Sequence, residues 1–341
     1  MNVKRMRIYM ILGMALLLSM SLFANSGWAA EAEIISFLPR TNEDRSIHFI
    51  DTQGKLIQGL MVGPGRIGSF SWSPDGRSIA YDSNQDGNPD IYVRDVRTDV
   101  ERQLTFHDSR DIWPAWSPNG KWIAFISERD GEMDIYRMDI DGANVKRLTN
   151  RGGCKKPAWS PDSQSIAFSA SKKEAEIGSD IYVMSAEGRG LKRLADTSAG
   201  VCTWSPDGKE IAFIPIGRMA LFSIDIDGKN MRQLSRLYKG FTIITLAVWS
   251  PSGKWIAYIL TKVPAELIGP DPVPVDEVFA NSVICVTNID DVGSGEPIEV
   301  PGGLVPGYLE WMPEGFLPVS PSAEKQLTLW GRLKQTENSS K

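Results

Sequence analysis

Between residues 34 and 311 the chain is a succession of short apolar runs separated by polar turns, and one unit shows the order clearly. Trp116 ends a strand, and Ser-Pro-Asn-Gly120 forms a tight turn in which Pro presets φ and Gly accepts φ > 0. Lys121 to Ser127 is a second strand of alternating pattern, Asp134 to Ile140 a third, Asp141-Gly142 a hairpin turn, and Val145 to Thr149 a fourth. One unit therefore predicts four short antiparallel strands.

The unit repeats. Trp72-Ser-Pro-Asp-Gly76, Trp116-Ser-Pro-Asn-Gly120, Trp159-Ser-Pro-Asp-Ser163, Trp204-Ser-Pro-Asp-Gly208 and Trp249-Ser-Pro-Ser-Gly253 share one pattern, and Trp311-Met-Pro-Glu-Gly315 is a decayed copy. Successive Trp residues are 44, 43, 45, 45 and 62 apart, and the first four spacings suit four-stranded propeller blades. Asp90-Ile-Tyr92 and Asp180-Ile-Tyr182 repeat the third strand; Arg102-Gln-Leu-Thr105 and Lys192-Arg-Leu194 repeat the fourth. Ile34 to Leu38, Ser46 to Asp51 and Lys55 to Leu60 read as second, third and fourth strands without a first, and Leu309-Glu-Trp311 supplies it. The expected fold is all-β, a six-bladed propeller of four-stranded antiparallel blades closed by pairing its N- and C-terminal strands, which removes open sheet edges.

The motifs W-S-P-D-G, I-A-F, D-I-Y, D-G and R-x-L-T resemble the WD40-like repeats of TolB-type six-bladed propellers, over roughly residues 34 to 320. The resemblance implies a cell-envelope propeller that engages lipoprotein and peptidoglycan-linked partners. Related blades also form the non-catalytic propellers of prolyl oligopeptidases and dipeptidyl peptidases. TolB proteins place an α/β domain before the propeller. Here the repeats start within a few residues of an expected cleavage site, so that domain is expected to be lacking.

The N-terminus assigns a compartment. Lys4, Arg5 and Arg7 precede an uncharged apolar stretch from Ile8 to about Ala24, followed by the small-residue sites Gly27-Trp-Ala29 and Ala30-Glu-Ala32, the form of a secretory signal. Residues 1–30 are therefore expected to be a signal peptide, 31–320 the propeller and 321–341 a tail, with a periplasmic or secreted product. An uncleaved anchor is the alternative. Removing the three cations of the first segment takes the net charge from −5 to −8, which opposes a nucleic-acid partner. Cys154, Cys202 and Cys285 are too few and scattered for a disulfide framework and read as small buried residues.

Chemistry is sparse. The two histidines, His48 and His107, exclude a zinc helix or a His-rich metal site, and no G-x-S-x-G elbow is present. His48 stands where other third strands have Tyr and reads as a sheet residue. Gly63-Pro-Gly65-Arg-Ile-Gly68 matches a dinucleotide fingerprint by letter, but it leads into a strand and not a helix, so it reads as an interblade loop. Asp82, Asn84, Asp86 and Asp90 place oxygens at positions 1, 3, 5 and 9 of a calcium loop, with Gly87 at 6. Position 12 is Val93 rather than an acid, so the segment reads first as a turn and only second as a calcium site. No cofactor is expected.

In a propeller the fourth-to-first and second-to-third strand loops converge on one face, where specificity concentrates. The loops supply Arg66, His107, Arg110, Asp111, Trp113, Lys155, Lys156 and Tyr238 as binding-face candidates. The Pro-rich insertion at 263–277 adds Leu267 and Ile268 as apolar anchors. The expectation is a non-catalytic binding or scaffold propeller whose partner is an envelope or extracellular protein or peptide, with membrane contact only by association or through an uncleaved anchor. The alternatives are a secreted propeller lyase or hydrolase, or an accessory propeller of a peptidase system.

Overall fold

The computed structural model describes residues 33–40, 46–62, 65–171, 179–195, 199–215, 220–237, 243–262, 280–298, 300 and 304–313. The expected signal segment 1–30 and the tail 321–341 lie outside them, as does the 263–277 insertion. Among the described residues every regular element is a strand.

The first blade holds β1 (Ile34–Pro39), β2 (Ser46–Asp51) and β3 (Leu56–Met61). The second holds β4 (Ile67–Trp72), β5 (Ser78–Ser83), β6 (Asp90–Asp95) and β7 (Glu101–Gln103). The third holds β8 (Asp111–Trp116), β9 (Trp122–Ser127), β10 (Asp134–Asp139) and β11 (Lys146–Arg147). The fourth holds β12 (Ala158–Trp159), β13 (Ser165–Ser171), β14 (Ser179–Ser185) and β15 (Lys192–Ala195). The fifth holds β16 (Ala199–Trp204), β17 (Glu210–Pro215), β18 (Phe222–Asp225) and β19 (Arg232–Gln233). The sixth holds β20 (Ile243–Trp249), β21 (Trp255–Thr261), β22 (Ser282–Asn288) and β23 (Asp291–Ile298). Finally, β24 (Pro306–Trp311) joins the first blade by pairing with β1, Ile35 opposite Trp311 and Phe37 opposite Leu309. Six four-stranded sheets result, closed as expected.

The repeat motifs are pairs of contacts within and between blades. The aromatic of I-A-F faces the aromatic of D-I-Y across neighbouring strands: Tyr81 with Tyr92, Phe125 with Tyr136 and Phe168 with Tyr182, at centroid separations of 5.6–5.9 Å. His48 fills the Tyr position of the first blade and stacks on Phe37 at 5.4 Å. The Asp of D-I-Y meets the Thr of R-x-L-T: Thr105 Oγ1 donates to Asp90 at 2.8 Å and Thr149 Oγ1 to Asp134 at 2.6 Å. Each Thr oxygen also accepts the next backbone N–H of the third strand, from Ile91 and Ile135.

The β9 run was expected to alternate, yet Ile123, Ala124, Phe125 and Ile126 are all fully buried. Each blade lies between two neighbours, so both faces of its second strand are covered and the strand reads as a continuous apolar run.

The tryptophans tie neighbours together. Trp159 Nε1 donates to the Ala115 carbonyl at 3.0 Å, Trp204 Nε1 to Ala158 at 3.1 Å, and Trp311 Nε1 to Val248 at 2.9 Å. In each pair the acceptor immediately precedes the Trp of the previous blade. At the closure, Trp72 Nε1 donates to Ser36 Oγ, which donates onward to the Glu310 carbonyl.

Every inner strand carries one extra residue at the same height. Ile67 faces Ser83 while Phe70 faces Tyr81, so three steps oppose two. The same offset separates Ile112 from Ala115, Cys154 from Ala158, Ala199 from Cys202, Ile244 from Ala247 and Pro306 from Tyr308. A bulge bends a strand and re-aims its side chains. Here six of them curve the strands that line the axis.

Candidate functional site

The axial channel and the loop rim above it gather the polar groups that the blade packing does not use. The residue before each repeat Trp lines the channel: Ser71, Ala115, Ala158, Thr203, Val248 and Glu310. Together with the six tryptophans they enclose about 270 Å³ beside the Trp-Ser-Pro turns. Only Glu310 among the six is charged. Lys156, entering from the opposite blade, places Nζ 2.8 Å from Glu310 Oε1 and 4.8 Å from the Tyr308 ring centroid. Tyr308 donates its hydroxyl to the same carboxylate at 3.2 Å. Burial, then the charges of Glu310 and Asp82, hold the Tyr308 hydroxyl well above its ordinary pKa, so it stays protonated.

Near the end of β5, Asp82 is buried. Its carboxylate accepts from the Ser69 hydroxyl and from Trp113 N at 3.3 Å. Burial pushes its pKa up to about 6 against those hydrogen bonds. Trp113 sits in the left-handed region at φ 54, inside the β8 bulge, which is what turns its N–H toward Asp82. Gly68 leaves the room that the Asp82 carboxylate occupies, and a Cβ at Gly65 would meet the Gln85 backbone N at 2.6 Å. Two glycines of the fingerprint-like stretch are thus explained by close approach of an interblade loop to β5 and the turn after it.

The rim candidates divide into exposed and interior groups. Arg66, His107 and Arg110 are exposed, and their segment is fixed by local bonds. Arg66 N donates to Asn84 Oδ1 at 3.0 Å, Asn88 Nδ2 donates to the His107 and Ser109 carbonyls, and Arg110 pairs with Glu128 at 3.3 Å. Trp113 and Lys155 are half-buried; burial lowers the Lys155 pKa. Asp111 and Lys156, named from the sequence as binding-face candidates on loops, are instead buried. Asp111 is fully buried and pairs with Arg129 at 2.8 Å, because it is already the first paired residue of β8 and needs a countercharge. Lys156 turns inward because β12 has only two residues, leaving the chain before it inside the channel. Tyr238, Leu267 and Ile268 lie outside the described residues.

The calcium-loop oxygens do not converge. Asp82 accepts from Trp113 N, Asn84 caps Arg66, Asp86 accepts from the Tyr92 hydroxyl at 2.7 Å, and Asp90 accepts from Thr105. Among the described residues no three acidic, His or Cys side chains share a site suited to a metal. The three cysteines are buried and unbridged, and burial pushes the Cys154 and Cys202 thiols up to about 12.

Sequence reasoning missed Tyr308, Glu310 and Ser69. A signal existed for Glu310: it is a charge at a repeat position otherwise held by Ser, Ala, Thr or Val.

The sequence matches the TolB beta propeller domain over residues 14–156 and 150–268, most of the chain. The chain belongs to the TolB β-propeller family. A 70-residue stretch is 34% identical to the Tol-Pal system protein TolB of Polaromonas sp., a match spanning 20% of this chain and 16% of that protein. The chain therefore aligns with under a fifth of its curated TolB relative. Among solved structures, TolB from Acinetobacter baumannii is similar with a TM-score of 0.64 at 23% identity, covering 83% of this chain and 67% of the other. A putative TolB from Agrobacterium tumefaciens follows with a TM-score of 0.60 at 19% identity, covering 83% and 98%. At these identities the structures establish the shared propeller fold.

Proposed function

We propose that this TolB-family propeller is a non-catalytic binding protein of the cell envelope, periplasmic or secreted, which holds a protein or peptide partner on its loop face. The observation that carries this reading is the division of charges at the rim. The shielded charges, Lys156 with Glu310 and Asp111 with Arg129, are engaged with each other. Arg66, His107 and Arg110, by contrast, are exposed on segments fixed by backbone bonds, with Arg110 paired only at the surface, to Glu128. A preorganised rim carrying two guanidinium groups and an imidazole suits recognition of a polar chain at low ordering cost. The envelope location is supported by the basic and apolar N-terminal segment and by the Tol-Pal relative.

Immobilised protein and an Arg66→Ala/His107→Ala/Arg110→Ala variant, presented with envelope extract, test the reading. The wild type should retain a reproducible protein that the variant loses. Identical capture by both, or turnover of glycans or peptides by the purified protein, would overturn it.

A further inference from the structure

Two blades begin their second strand with Trp, and the two indoles are treated differently. In the third blade Trp122 is covered by Arg137, whose guanidinium lies 4.5 Å above the ring. Arg137 then reaches the turn of the next blade, donating to Glu187 Oε1 at 2.7 Å and to the Ala186 carbonyl at 2.8 Å. In the sixth blade Trp255 occupies the Trp122 position. The residue in register with Arg137 is Val286: Ala124 faces Arg137 in one sheet as Ala257 faces Val286 in the other. The next blade presents Thr52 and Gln53 where the fourth presents Ala186 and Glu187, since Asp51 and Ser185 are both paired with the first residue of their neighbouring strand.

The guanidinium is therefore missing from this interface, and a groove of about 580 Å³ takes its place. Trp255, Val286, Pro297 and Ile298 give it an apolar floor, and the carboxylates of Asp291 and Glu296 line it with no cation among the lining residues. Asp291 Oδ1 accepts from Gly293 N, and Glu296 pairs with Arg236 at the exposed edge. A planar cation stacks on an indole face and donates in a fork to carboxylate and carbonyl oxygens, which a lysine ammonium does less well. The volume lies in the range of small-ligand sites and exceeds one side chain.

We propose that the groove between the sixth and first blades binds an arginine side chain of a basic partner peptide, in the geometry that Arg137 adopts within the chain. This site lies beside the strand-end turns of the face opposite the loop rim, so it stands or falls separately from the loop-face reading.

The probe is the blocked tripeptide acetyl-Gly-Arg-Gly-amide, compared by calorimetry with versions carrying citrulline or lysine. Citrulline keeps the shape and removes the charge. The arginine peptide should bind about tenfold more tightly than the citrulline one, the ratio expected of a partly desolvated cation–π contact with a carboxylate nearby. Val286→Arg with Gln53→Glu should rebuild the third-blade contact internally, raise the melting temperature and abolish binding. Val286 is buried, so a second variant guards against misfolding: Asp291→Asn/Glu296→Gln, both exposed, should keep the melting temperature and weaken arginine binding severalfold. Equal affinity for the citrulline peptide, no binding of the arginine peptide, or arginine binding unchanged in both variants would overturn the proposal.

Discussion

Lys156 and Glu310, 154 positions apart, meet across the channel at 2.8 Å, joining the fourth blade to the strand that completes the first. These blades face each other across the axis of a six-fold ring. The pair therefore spans the circle rather than one interface, and it braces the closure against opening.

Breaking the brace should cost stability. Both groups are largely shielded, with 11% and 22% of their side chains exposed. Lys156→Met or Glu310→Gln alone leaves a shielded charge unpaired and should cost about 2–4 kcal/mol, whereas the double variant should cost less than the sum of the two. Urea unfolding of the four proteins measures this; additive effects would show that the contact carries no coupling.

The interblade indole bonds predict a difference between tryptophans. Trp159 Nε1 has the Ala115 carbonyl as its partner, while Trp249 Nε1 has none among the described residues. Trp159→Phe should therefore cost about 1 kcal/mol more than Trp249→Phe. Ala at either position should cost about 3–5 kcal/mol, the range for buried large aromatics. Chemical denaturation resolves both differences.

Closure predicts the effect of truncation. A chain ending at Val305 loses β24, its Trp311 contact to Val248 and the pairing of β1. It should expose a sheet edge, lose cooperative unfolding and self-associate. Circular dichroism during urea unfolding and sedimentation velocity test this, and a monomer with unchanged cooperativity would contradict it.

Asp82 predicts a pH dependence. Its folded-state pKa of about 6 lies above the ordinary 3.8, so the folded protein holds this proton more tightly than the unfolded chain. Its contribution is most favourable below about pH 4, declines as pH rises to about 6, and is a constant penalty of about 2–3 kcal/mol above that. Asp82→Asn should remove this slope, so its stability relative to wild type should rise between pH 4 and 6 and then level off. Asp75, Asp134, Asp162 and Asp207, whose carboxyls sit below their ordinary range, impose the opposite slope at lower pH in both proteins. They cancel in the comparison, which unfolding midpoints across pH 4–7 provide.

The exposed rim predicts separation of stability from binding. Ala at Arg66, His107 and Arg110 should change stability by no more than about 0.5 kcal/mol each. Ala at Asp111 should cost far more, since it strands Arg129 beside the Phe125 and Tyr136 rings. Thermal melts distinguish the two classes directly.

The blade count, the strand order and the closure were legible in the sequence because they follow from local chemistry repeated at a fixed period. Trp-Ser-Pro-Asp-Gly is a turn wherever it occurs: Ser117 Oγ accepts from Trp122 N while Gly120 takes φ 72, and no distant residue is needed. The pairing of β24 with β1 was legible for a related reason, since three strands lacking a first and one lacking its blade have a single way to combine. Which side chains meet inside the ring was decided by the tertiary structure alone. Sequence marks Asp111 and Lys156 as loop charges, but burial depends on the shared bulge that bends each inner strand and on carboxylate and guanidinium partners contributed by other strands and blades. The groove at Trp255 is likewise invisible in the repeat, because it arises from Val286 standing where another blade has Arg137, and only the packing of one blade on the next turns that substitution into a space.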